Sequence, residues 1–205
     1  MTSKFGFNPW VTIWTQPKKT IRAIVNKDPR YHFFYLATIY ALQTILFLAN
    51  NWQLGQVYSV VLIVFAAIVV SPFFGAVFLY FNSWVLHFTG KWLKGNAPFL
   101  HVRAALSWSK VPLIISLLMW FVLLVFSSDI ILSKGEGAIT TLFINLISLI
   151  AGIWSFVILV QSVQEVQGFT IARSIGNVIL AFIISYILIF LFSNVFYYFV
   201  SLIKQ

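Results

Sequence analysis

The residues able to do chemistry in this chain are few. They gather in "VQSVQEVQGFTIARS" (160–174) and in "SWSKVP" (107–112). The first stretch holds Glu165, one of only four acidic residues against thirteen Lys and Arg. A lone carboxylate can pair with a cation, but it cannot do the acid–base work that needs two groups. His32, His87 and His101 lack the helical ligand spacing that a zinc site needs. No Gly-rich phosphate loop precedes a helix, and no local Ser/His/Asp set is suggested. The absence of cysteine excludes disulfides, thiolate nucleophiles and cysteine metal sites. No catalytic residue, metal ligand or cofactor is therefore expected, and the chain reads as a non-enzyme.

What must position these residues is a set of apolar helices. Of 205 residues, 61% are hydrophobic and only 8% charged. A soluble domain keeps about a quarter of its residues charged, so the solvent here is lipid. Apolar runs cover about 33–49, 57–88, 102–126, 138–163 and 174–203. Each is long enough to approach or exceed the roughly 20 residues a bilayer requires. In lipid such runs must be helical, because nothing else satisfies the backbone. The expected fold is all-α: a bundle of five transmembrane helices (33–205) preceded by a basic amphipathic segment (1–32). No cleavable signal peptide is expected, since the first apolar run starts late and lacks a small-residue cleavage site.

Charge orients the bundle. Lys4, Lys18, Lys19, Arg22, Lys27, Arg30, Lys91, Lys94, Arg103, Lys110 and Arg173 fall at one end, and Lys134 and Lys204 at the other: eleven against two. By the positive-inside rule the N-terminus is cytoplasmic and, with five spans, the C-terminus external. The basic composition points to anionic headgroups rather than nucleic acid, because most cations flank apolar runs. Asn8-Pro9 starts one short helix and Pro17 a second. Trp10 and Trp14 fall on an apolar face, as do Ile21, Ile24 and Val25. Lys18, Lys19 and Arg22 lie opposite, with Lys27 and Arg30 following. This pattern describes a helix lying in the membrane interface that either only anchors and caps the bundle or also binds a partner.

The spans also carry small and polar residues. Ala67, Ser71 and Gly75 recur every four residues and let another helix approach closely. Pro72 beside them removes a backbone donor and predicts a kink. Asn145, Ser148, Gly152 and Ser155 form a stripe that must face protein or a watery cavity; it either packs or lines a conducting path. Near the basic end, Asn82, His87, Trp108, Ser109, Lys110, Gln161, Glu165 and Arg173 form an expected cytoplasmic polar cluster. Lys110 lies inside an apolar run, so it must pair or snorkel. Glu165 is expected to pair with Lys110 or Arg173, unless Lys110 snorkels and Glu165 is simply solvated. Two functions fit: a scaffold binding proteins or lipids at its cytoplasmic face, or a channel or small-solute transporter along the polar stripe. A homo-oligomer is compatible with either.

"TGKWLKGNAPFLHVRAALSWSKVPLI" resembles the segment before the third helix of the Yip family of Ypt/Rab-interacting membrane proteins, with Trp108, Ser109 and Pro112 in its aromatic-Ser-x-x-Pro pattern. "EVQGFTIARS" resembles the family's Glu-x-x-Gly-x-Ser segment, with Glu165, Gly168 and Thr170 in the corresponding places. "NPWVTIWTQPKKTIRAIVNKDP" is similar to the N-terminal entry of bacterial members. The resemblance implies five helices with the N-terminus inside. Eukaryotic members carry a long soluble N-terminal region and an Asp-Leu-Tyr-Gly-Pro element, neither of which is seen here. The resemblance thus points to the bacterial branch and a plasma membrane, with ER or Golgi the expectation for a eukaryotic member.

Tags at the N-terminus and within 89–101 are expected to be cytoplasmic, and a tag after Gln205 external. Reporter fusions that place both termini on one side would overturn this orientation.

Overall fold

The computed structural model describes the backbone of residues 5–126 and 138–203, and the side chains of 5–125 and 142–194. Among these residues every regular element is helical. Two short helices come first, α1 (Pro9–Thr12) and α2 (Pro17–Lys27). They are followed by α3 (Phe33–Asn51), α4 (Val60–Trp92), α5 (Phe99–Trp108), α6 (Leu113–Phe126), α7 (Ala138–Gln167) and α8 (Ile171–Ile203). Among the described residues, α3, α4, α7 and α8 are long and apolar enough to cross a bilayer. The pair α5–α6 makes a fifth crossing only if taken together, bent by 42°. The protein is an all-α, polytopic helical membrane protein. The connection 127–137 with Lys134, and Lys204 near the C-terminus, lie outside the described residues.

The third apolar run is thus not the single helix its sequence suggests. Pro112 has no N–H to offer the carbonyl of Trp108; the Val111 N–H donates there instead at 3.3 Å. Ser109 Oγ donates to the Leu106 carbonyl at 2.7 Å, serving another carbonyl at the break. The broken span has a structural role. From Val102 to Ser109 every residue is buried. α5 is the axle of this end of the bundle, and α2, α3, α4 and α7 pack around it.

α3 and α4 form the closest pair. Ala67, Ser71 and Gly75 are all buried along α4. A Cβ added at Gly75 would collide with the backbone carbonyl of Ala37 and stand 3.0 Å from the Ala41 Cβ. Helix-on-helix approach this close needs a residue without a side chain. Pro72 sits on the exposed side of a helix that runs on through it. It cannot donate to the Ile68 carbonyl, and Ser71 Oγ donates there at 3.1 Å in its stead. In a hydrocarbon solvent that substitution matters, because no water can take the place of the lost donor.

The stripe on α7 does not hold together as one face. Asn145 and Gly152 are exposed, and nothing lies within 4 Å of a Cβ built on Gly152. Ser148 bonds Ser116 Oγ at 2.9 Å, Gln43 reaches the same serine at 3.4 Å, and Ser155 is buried. The expectation that all four face protein or a cavity is corrected for Asn145 and Gly152. The helical twist carries those two to the outside while their neighbours pack. The polar groups that do meet form a short closed chain joining α3, α6 and α7.

Gly75→Ala should lower stability by roughly 1–3 kcal/mol, the usual cost of overpacking a tight contact. Gly152→Ala, in open space, should be neutral or slightly stabilising. Thermal unfolding in detergent would separate them, and equal effects would refute the close-approach role.

Candidate functional site at the basic end

The N-terminal segment is built into the bundle. Asn8 caps α1 by accepting the Trp10 N–H at 3.0 Å, and Pro17 opens α2. Most of the apolar face of the segment is then used: Ile13, Ile21 and Ile24 are completely buried and Val25 nearly so. They pack with Ala104, Ala105 and Trp108 of α5 and Ile158 of α7. This corrects the expectation that the apolar face rests in the lipid interface: it rests on protein. Lys18, Lys19, Arg22, Lys27 and Arg30 are exposed on the other side.

Glu165 finds its cation here. Arg22 Nε donates to its Oε1 at 2.5 Å and Nη2 to Oε2 at 2.9 Å, a bidentate pair between α2 and the end of α7. Neither expected partner is the one used. Arg173 is exposed, its backbone N–H turned to Thr170 Oγ1 at 3.4 Å. The Lys110 ammonium lies 5.2 Å from the centre of the Tyr40 ring. The hydrogen bond to Glu165, and then its charge, hold the Arg22 guanidinium above its ordinary value. Because Arg22 is largely exposed, the pair gives register more than strength. Burial of the isoleucines, at about 1.5–3 kcal/mol for each such side chain, does more to hold the segment down.

An aromatic stack lies under this cap. Trp108, 1% exposed, packs 5.2 Å from Trp10, 6.1 Å from Tyr31 and 6.3 Å from His32, centre to centre. Trp10 Nε1 donates to His32 Nδ1 at 3.1 Å. Indole is a donor only, so this bond needs the neutral imidazole. Burial pushes the His32 pKa down in the same sense. Trp14 lies over an apolar cleft of about 340 Å³ shared with Pro112, Ala151 and Trp154. The two tryptophans expected to touch lipid are therefore half-buried against the bundle.

A second polar cluster ties the loop after α4 to the α7–α8 turn. Gln167 Oε1 accepts the Ala97 N–H at 3.0 Å, and Thr89 Oγ1 donates to Asn177 Oδ1 at 2.6 Å. Gly90 and Gly95 leave the room these amides occupy; a Cβ at either would strike Gln167. Of the remaining expected residues, Asn82 donates to the Phe78 carbonyl at 2.8 Å, and Ser109 serves the helix break described above. His87 stands edge-on to Phe99, with Nδ1 buried and unpartnered. Gln161 is half-buried on α7. The expected cluster is therefore several separate contacts. Among the described residues no three His, Asp or Glu converge as metal ligands.

A protein-family model described as the Yip1 domain matches residues 11–193. The chain belongs to the Yip1 domain family. No curated protein and no solved structure matches it. The matched span begins within α1, so the docked segment is part of the Yip1 domain and not an appendage. The residues that carried the resemblance have plain structural roles in this Yip1 domain. Trp108, Ser109 and Pro112 make the stacked, kinked end of α5. Gly168 takes φ +67°, a left-handed conformation suited to glycine, and ends α7. Thr170 then caps α8 through its side-chain oxygen.

Glu165→Gln should loosen the N-terminal segment. Combined with Arg22→Gln it should prove non-additive in thermal unfolding, whereas combination with Lys110→Met should be additive. Coupling to Lys110 instead of Arg22 would refute the pairing.

Proposed function

We propose that this Yip1-family protein is a non-enzymatic membrane scaffold that binds acidic partners, protein segments or anionic headgroups, at its basic end. The observation that carries this reading is the docked N-terminal segment. Most of its apolar face packs on the bundle, and its exposed side carries the cations Lys18, Lys19, Lys27 and Arg30, while Arg22 is tied to Glu165. Because buried isoleucines already fix the helix, binding requires ordering of the exposed side chains but not of the backbone that carries them. The eleven-to-two distribution of Lys and Arg supports placing this end in the cytoplasm, with the C-terminus outside. The similarity of the N-terminal entry to bacterial members supports a bacterial plasma membrane.

A photo-reactive residue placed at the exposed Asn26 tests the reading in native membranes. A discrete protein or anionic-lipid adduct is expected. The triple change Lys18→Gln, Lys19→Gln, Lys27→Gln should abolish it while leaving the Arg22–Glu165 pair in place. An adduct that persists unchanged in the triple variant, or no adduct above background, would overturn the proposal.

A further inference from the structure

The last turns of α4 carry an aromatic ladder on their outer side. Trp84, Phe88 and Trp92 recur every four residues and are 54%, 42% and 57% exposed. Trp84 stacks on Phe88 with ring centres 5.7 Å apart, and Phe88 meets Trp92 at 4.8 Å. The opposite side of the same turns is packed. Val85, Leu86, Thr89 and Gly90 are buried there, and Thr89 is tied to Asn177 of α8. The ladder is therefore presented by a braced helix, with its rings already ordered against one another.

Depth decides what can cover it. α3 has 19 residues, about 28 Å at 1.5 Å per residue. That matches the roughly 30 Å hydrocarbon core. Phe33 opens α3 and so marks the core boundary at the basic end. Tyr80 of α4 lies at the same level. The two rings are 5.1 Å apart, and the guanidinium of the buried Arg103 lies against both, 4.4 Å from the centre of Phe33 and 4.9 Å from that of Tyr80. Trp84, Phe88 and Trp92 stand about 6, 12 and 18 Å further along the helix than Tyr80. The headgroup layer is only roughly 5–8 Å thick on each side. Even a helix tilted by about 40° carries Phe88 roughly 9 Å and Trp92 roughly 14 Å beyond the core. Trp84 is thus a headgroup residue, whereas Phe88 and Trp92 stand in water. Adjoining apolar side chains exposed outside lipid mark a contact surface.

We propose that Phe88 and Trp92 dock a segment of another protein whose apolar side chains are flanked by acidic ones. Lys91 follows Phe88 by one helical turn and Lys94 lies two residues past Trp92; both are exposed. They supply the charge that complements an acidic flank. A second copy of this chain is poorly suited to the role. Asp28 and Glu165 are its acidic residues at this end. Glu165 is held by Arg22, and Asp28 accepts the Arg30 N–H at 3.0 Å within the basic segment. This surface is separate from the cations of α2, and it does not depend on the scaffold reading drawn from them.

Two measurements on the full chain test the proposal. The first is depth, in phosphatidylcholine nanodiscs. The chain has no cysteine, so Trp92→Cys or Val77→Cys accepts a single nitroxide label. A label at position 92 should be relaxed more by a water-soluble nickel chelate than by oxygen. A label at position 77, an exposed site on the core side of Tyr80, should show the reverse. Relaxation dominated by oxygen at position 92 would place the ladder in lipid and overturn the proposal. The second measurement is contact, in native membranes, with a photo-reactive phenylalanine analogue at Phe88. One discrete protein adduct is expected, and the cross-linked peptide should carry apolar residues flanked by Asp or Glu. Trp92→Ser, an exposed change that spares the core, should lower the adduct yield about tenfold or more, as loss of an aromatic anchor does. Lys91→Gln with Lys94→Gln should lower it several-fold. The triple change at Lys18, Lys19 and Lys27 should leave it unchanged, which separates this surface from that of α2. A lipid adduct, no adduct, a cross-linked peptide without acidic residues, an adduct indifferent to Trp92→Ser or to the paired lysine change, or one lost in the triple variant would overturn the proposal.

Discussion

Hydrocarbon offers no hydrogen-bond partner, and much of this structure follows from that constraint. Where Pro72 removes a donor, Ser71 supplies one to the stranded carbonyl. Where Pro112 breaks the third span, Val111 and Ser109 serve the nearby carbonyls. The broken span is tolerated because α5 is wrapped in protein and its irregular end never faces lipid. The same constraint closes the polar side chains of the far half into Gln43, Ser116 and Ser148.

At the basic end the governing balance differs, because water is available there. The N-terminal segment holds on by apolar area, and the bidentate Arg22–Glu165 pair sets where along the bundle it sits. That division explains why one carboxylate is enough. Glu165 ends α7 beside the Gly168 turn, within reach of α2, and its position decides the register of a helix 143 residues away in sequence. The amide contacts of Gln167 and Asn177 brace the same turn from the other side. The loops of this end therefore form one connected frame around α5, and the exposed cations are presented on it.

Part of this was legible without a structure. The apolar runs specified helices, because a bilayer leaves the backbone no alternative. The interval of four between Ala67, Ser71 and Gly75 marked a face built for close approach. Asn8-Pro9 and Pro17 marked helix starts through their own backbone chemistry. Trp108, Ser109, Pro112, Glu165, Gly168 and Thr170 carried the family. Each of these signals is local: the cause lies within a few residues of its effect.

What the sequence could not decide was which surface each face would meet. A basic amphipathic helix has the same pattern whether its apolar side rests on lipid or on α5, and only the packed bundle chose α5. Lys110 and Arg173 share the membrane boundary of Glu165, which makes them its expected partners. The true partner came from α2, because docking that helix on α5 and α7 brings Arg22 over the end of α7. Asn145 and Gly152 fit a polar stripe on paper, but the helix turned them outward once Ser148 and Ser155 had packed. In the sequence Arg103 counts as one more cation of the basic end. Its burial between Phe33 and Tyr80 exists only because α3, α4 and α5 converge there. Composition and spacing determined the helices, their solvent and their family; the choice among cations and among buried faces required three-dimensional neighbours, which no local pattern encodes.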